Sequence, residues 1–133
     1  MTVTRKMIEE LIQKINKAEN IRPNSTVEET VSAIDAVCAP DFKGSLNGGP
    51  LHDREAERQS ETMLFSMLID YHRSIGKVII DPPFAAFEWA ISGTVKGIPI
   101  KVNGCSVIEC DEKGMLRLGR VYVDTTQLSS GGK

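Results

Sequence analysis

The chain has 133 residues, 41% of them hydrophobic and 26% charged, with a net charge of -2. That length fits a single domain able to bury a core without crosslinks, and lysines and arginines scattered among acids leave no basic face for nucleic acid. No apolar window reaches the length of a membrane span, and no N-terminal run has the form of a signal peptide.

Met7, Ile8, Leu11, Ile12 and Ile15 recur three and four residues apart, which predicts an amphipathic helix over 5–19. Arg22-Pro23-Asn24 breaks it. Ser25-Thr26-Val27-Glu28 reads as a capping box that starts a second helix running to about Cys38. Residues 42–51 read as a short strand and a loose Gly-Gly-Pro turn. Asp53 is the expected N-cap of a third helix through Ile75, with Ala56, Met63, Leu64, Met67, Leu68 and Tyr71 as its buried stripe and Gly76 as its C-terminal stop. Lys77 to Ile80 opens a sheet that Pro82-Pro83 interrupts. Three long strands follow between Phe87 and Leu128, separated by turns at Lys96-Gly97 and Asp111 to Gly114. The expectation is one α+β domain over 1–128, three helices packed on a curved, mostly antiparallel sheet, with a polar tail at 129–133.

Cys38, Cys105 and Cys110 are odd in number and include no close pair, so neither a disulfide framework nor a metal site is expected. They read as small hydrophobes in a reducing compartment, and a cytoplasmic location follows.

Helix, helix, short strand, helix and meander together resemble the nuclear transport factor 2-like superfamily. Within it they resemble the SnoaL-like polyketide cyclases and ketosteroid isomerases. The residues that carry this are Trp89 with Gly93 and Gly97, Gly104 before Val107-Ile108, the Asp111 to Gly114 turn, Val121 to Asp124, and the segment from Cys38 to Ala56. The resemblance implies a cone-shaped α+β barrel around a small-molecule cavity. The isomerase pattern uses an Asp base with an oxyanion hole of Tyr and protonated Asp. This chain departs at all three, with Ser45-Leu46-Asn47, Leu11 and Cys105 at those places. The Asp-Arg-Asp set of the limonene epoxide hydrolases is incomplete as well.

Alignment to the isomerase pattern turns Phe87, Trp89, Asn103, Cys105, Leu118, Arg120 and Tyr122 toward the cavity, with Met67 and Tyr71 added from the third helix. Among the polar candidates, His52 lies at a cavity-mouth position of this fold. An unperturbed histidine titrates near about 6.5 and can act as a base at neutrality, although a loop histidine is more often simply solvated. Asp41 and Asp124 either shuttle a proton or bond their own turns. Arg120 needs a partner if buried, and either it or Tyr122 would stabilise oxyanion charge.

Ile100, Val102, Val121 and Val123 fall on the outer sheet face in this alignment, and a covered outer face implies a homodimer. The function expected is cofactor-independent acid–base chemistry, of isomerase, cyclase, dehydratase or hydrolase type, on a small hydrophobic carbonyl compound such as a polyketide or terpenoid. The alternative is a ligand-binding or dimeric interaction module without catalysis.

Overall fold

A computed structural model describes residues 2–124. The polar tail expected at 129–133 lies outside them. Helix α1 spans Arg5–Glu19 and buries Ile8, Leu11, Ile12 and Ile15 of the stripe that its spacing predicts, with Ala18 added and Met7 only half-buried. Helix α2 spans Val27–Asp35. Its capping box sits one residue later than expected: Thr26 and Glu29 exchange the two bonds, at 3.0 and 2.8 Å. Ser25 is engaged elsewhere, with the Thr30 hydroxyl at 2.7 Å.

Strand β1 spans Cys38–Leu46, so the second helix stops short of Cys38. Helix α3 spans Arg54–Met67 and is capped by Asp53 as expected. It then ends eight residues before Ile75, because β2 (His72–Asp81) has already begun. Two contacts override the helical pattern there. The Asn20 side chain brackets the Arg73 backbone, accepting from its N–H and donating to its carbonyl at 2.7 Å each. Residues 72–75 also pair with 92–89 of the next strand. Gly76 therefore stops no helix. With Lys77 it forms a bulge opposite Glu88. The α3 stripe shifts too: Met63 is exposed, and Phe65 takes the buried place.

Strands β3 (Phe84–Val95), β4 (Ile98–Cys110) and β5 (Leu116–Val123) complete an open sheet in the order β1-β5-β4-β3-β2. The edges β1 and β2 do not meet, and only the β1–β5 pair is parallel. Pro82 and Pro83 occupy the connection between Asp81 and Phe84, which face each other across the β2–β3 hairpin. The loop after β1 is tied to the far end of β5 by Asn47, whose side chain accepts from Val123 N–H at 2.8 Å and donates to its carbonyl at 2.9 Å.

The core lies between the helices and one sheet face. Trp89 is central to it. Its indole N–H donates to Ser106 Oγ at 2.9 Å, and its ring lies over Gly104 on the neighbouring strand. A Cβ at position 104 would stand 2.3 Å from the Trp89 ring. Gly104→Ala is thus expected to cost about 1–3 kcal/mol of overpacking, read as a lower urea midpoint in denaturation followed by the fluorescence of Trp89. An unchanged midpoint would show that the ring is not held there.

Candidate functional site

Between α1, α3 and the helix-facing side of the sheet lies a cavity of about 210 Å³. Its apolar wall is Trp89 and Ile91 from β3, Val102 from β4, and Val121 and Val123 from β5. Register explains this set. Trp89 is opposite Gly104, Ile91 opposite Val102, and Phe87 opposite Ser106. Gly104 and Ser106 are in turn opposite Val123 and Val121. Directly paired residues share a face, so one row of small and β-branched side chains lines the cavity.

Against that wall the helices, β2 and the loop before α3 set three hydrogen-bonded pairs, each with one glutamate. Glu57 Oε1 on α3 accepts from His52 Nε2 at 2.5 Å. His52 is held by a two-bond backbone bridge to Gly44 of β1, at 2.8 and 2.9 Å. One turn further along α3, Glu61 receives both terminal nitrogens of Arg54 at 2.7 and 2.9 Å. Arg54 also donates to Asp35 of α2, and its guanidinium lies 5.8 Å from the Phe42 ring. Both partners of the Arg54–Glu61 pair are largely buried, their side chains 11% and 14% exposed. Burial pushes the Glu61 carboxyl up to about 7, while the Arg54 guanidinium pulls the other way. The third pair is Arg73 with Glu19, the last residue of α1, and the Tyr71 hydroxyl also donates to Glu19. Burial raises the Tyr71 phenol well above its ordinary value and keeps it a donor. Among the described residues no cluster of histidine, cysteine, aspartate and glutamate has the geometry of a metal site.

The expected site residues divide sharply. Trp89 and His52 line the cavity. Phe87 and Tyr71 are fully buried beside it, Phe87 beneath the Arg73 guanidinium at 5.4 Å. Asn103, Cys105, Leu118, Arg120 and Tyr122 point the other way, because they alternate with Val102, Ser106, Val121 and Val123. The valines and Ile100 assigned to the outer face are correspondingly on the inner one, and Ile100 and Val102 are buried. The cause is a one-residue error of phase. Val95 faces Ile98 across a two-residue turn, so no gap separates the two strands. Asp41 is exposed and pairs with Arg117 at 3.3 Å, and Asp124 is exposed just past β5. Met67 is half-exposed at the end of α3 and lines no part of the cavity.

Glu19, Glu57, Glu61 and Arg73 are the polar groups that the sequence reading overlooks. A signal for two of them exists. Glu57 and Glu61 continue the stripe Leu64, Phe65 and Leu68 at helical spacing, so they stand where α3 faces the sheet. Arg73 was hidden by the overlong third helix.

Residues 25–118 match the profile of the SnoaL-like domain. No curated protein matches the chain in sequence. Several solved structures share its backbone. AclR, a proposed hydroxylase from Streptomyces galilaeus, superposes with a TM-score of 0.80 at 10% identity, over 96% of each chain. IdmH, a proposed polyketide cyclase from Streptomyces antibioticus, does so with 0.77 at 14%, over 92% of this chain and 96% of its own. A de novo designed protein with a curved β-sheet reaches 0.64 at 17%, over 93% and 90%. Identities this low establish the fold alone.

The Glu61 carboxyl has a stability consequence. The unfolded chain binds its proton with the ordinary value of 4.5, and the folded state with about 7. The folded state therefore holds the extra proton between those values. The stabilisation from this group is complete below the lower value and is lost as pH rises through the upper one. Urea denaturation at about pH 5 and about pH 8 should show a loss on the order of 3 kcal/mol from this group, and Glu61→Gln should remove that part of the difference. Equal pH dependence in both proteins would refute it.

Proposed function

The chain belongs to the SnoaL-like domain family, and from that premise we propose that it is a small-molecule enzyme that moves protons on an apolar, carbonyl-bearing metabolite. The observation that supports this most is the convergence of the His52–Glu57 pair and Glu61 on one apolar cavity beside Trp89. A non-catalytic module needs no titratable groups in its apolar pocket, whereas an acid–base enzyme needs at least two with separated proton affinities.

The roles follow from the hydrogen bonds. With its proton on Nε2, His52 donates a hydrogen bond to Glu57 and keeps the Nδ1 lone pair as the basic site. His52 takes a proton from carbon next to the carbonyl. Glu61, held neutral up to about 7 by burial, gives its proton to the substrate oxygen. Enolisation of this kind underlies both isomerisation and aldol-type ring closure, and a polyketide or terpenoid carbonyl is the fitting class. The cavity of about 210 Å³ is smaller than the roughly 300–1,000 Å³ that encloses drug-sized ligands, so the favoured substrate has one or two rings. All three cysteines are free thiols, which suits a reducing cytoplasm.

A homodimer through the outer sheet face is part of the same reading, now with different residues. Ala86 faces Val107 there, and Tyr122, Phe84 and Ile79 stand exposed on the same face by 42%, 47% and 62%, interspersed with Glu88, Asn103 and Arg120. Light scattering after size exclusion should give twice the 14.6 kDa chain mass, and Val107→Lys should halve it. A wild-type monomer would reject the dimer.

Catalysis is testable before the natural substrate is known. Proton–deuterium exchange next to the carbonyl of small cyclic β-diketones, followed by NMR, should be accelerated by the protein and should slow as pH rises through about 7. Glu61→Gln and His52→Ala should each cut the rate by about 10²–10⁴. Rates that neither substitution changes would leave only the ligand-binding reading.

A further inference from the structure

Arg73 is the most confined cation of the cavity, and its pairing with Glu19 accounts for only part of it. Its side chain is 7% exposed and forms part of the cavity wall. Its guanidinium carbon lies 5.4 Å from the Phe87 ring centre and 5.5 Å from that of Trp89, so the two aromatic rings fix its plane. Its backbone is clamped on both sides by the Asn20 amide. The end of α1 thus fixes where the side chain starts, and β3 fixes where it lies. One terminal nitrogen is committed to Glu19, which the Tyr71 hydroxyl also engages. The Nε–H is buried and has no acceptor among the described residues.

A buried guanidinium donor without an acceptor is costly to keep. The Arg22 Nε is in the same state away from the cavity, so what distinguishes Arg73 is that its side chain lines the cavity wall. A fork of fixed plane with an unused donor matches an oxygen that carries or develops negative charge. The neighbouring groups narrow the class further. Glu19 already offsets much of the Arg73 charge, so the site suits an oxygen with a single or developing negative charge and not a dianion such as phosphate. Trp89 adjoins Arg73 and lines the same cavity as the valines, so the body of the bound molecule meets an aromatic and apolar wall.

We propose that Arg73 is the oxyanion seat of the cavity, and that the ligand is a small planar ketone or phenol whose oxygen meets the Arg73 guanidinium while its ring lies against Trp89. This rests on the reading of the cavity as an acid–base site, and it adds the place where the developing charge is held. Arg73 binds the oxygen, Glu19 holds Arg73 in position, and the proton donors and acceptors are the groups of α3 and its preceding loop.

The test needs no turnover. 4-Nitrophenol, ionised, and its uncharged analogue 4-nitroanisole are titrated into the full chain by calorimetry, with the visible absorption of the phenolate read in parallel. Wild type should bind the phenolate about tenfold more tightly than the anisole, as one charge-assisted hydrogen bond requires, and should lower the pKa of the bound phenol. Arg73→Met should abolish both effects while changing anisole affinity less than about twofold. The double variant Arg73→Met with Glu19→Gln removes both members of the ion pair together, leaves no buried charge unpaired, and should give the same result. Glu19→Gln alone should strengthen phenolate binding, since it removes the competing carboxylate; a purely structural salt bridge predicts the opposite. Phenolate bound no better than anisole by wild type, or equally well by the double variant, overturns the seat. Arg73-dependent phenolate binding in a protein that catalyses no exchange supports the seat and rejects the catalytic reading alone.

Discussion

Lys96 and Gly97 both adopt left-handed backbone angles, with φ of 51° and 79°, the form of two-residue turn whose twist matches that of the strands it joins. The turn leaves Val95 against Ile98, and every later pairing follows by counting outward from it. Trp89 then meets Gly104, the residue without a side chain, and Phe87 meets Ser106, whose hydroxyl receives the Trp89 indole N–H. A slip of one residue would place Asn103 or Cys105 under the indole and turn Val102 to the outer face. Strand β5 inherits the same phase through Gly104 and Ser106. The identity of the cavity wall therefore descends from one turn.

The polar half of the cavity obeys a different constraint. Carboxylates at the helix–sheet interface lose hydration, and a lone buried charge would be intolerable. Each has a hydrogen-bonding partner: Glu19 with Arg73, Glu57 with His52, and Glu61, which burial holds protonated up to about 7, with Arg54. Such pairs contribute little to net stability, because desolvation offsets most of their attraction. Their placement is informative for that reason. A core built only for stability would fill these positions with apolar side chains, as α3 itself does one turn later at Leu64 and Phe65. The pairs also join separate elements: Arg54 bridges α3 to α2 through Asp35, and Glu19 with Asn20 fastens α1 to β2.

The two halves meet at Trp89, one edge hydrogen-bonded to the sheet and the ring adjoining the Arg73 guanidinium. The backbone alone would not define a function, since the same shape serves proteins of different chemistry. The paired glutamates, His52 and Arg73 set by the helices, β2 and the loop before α3 into a mostly apolar cavity carry the functional reading.

The sequence by itself determined α1 and its buried stripe, the Asp53 cap, the alternation of Phe87, Trp89 and Ile91, and the order of helices and strands. Each is a local periodicity or turn chemistry, written within a few residues. It also determined the register of β3 on β4, although that was legible only by taking Lys96-Gly97 as a two-residue turn and counting, which the comparison with a family pattern obscured. Tertiary structure alone decided where α3 ends, because residues 72–75 are claimed by pairing with β3 and by the Asn20 bracket, both remote in sequence. It alone decided that Glu19 meets Arg73, 54 residues away. His52 and Trp89 were found from sequence because the fold places them by local context. Glu57, Glu61, Glu19 and Arg73 were not, because charged residues at helical spacing read as a solvated face until the sheet that desolvates them is in place.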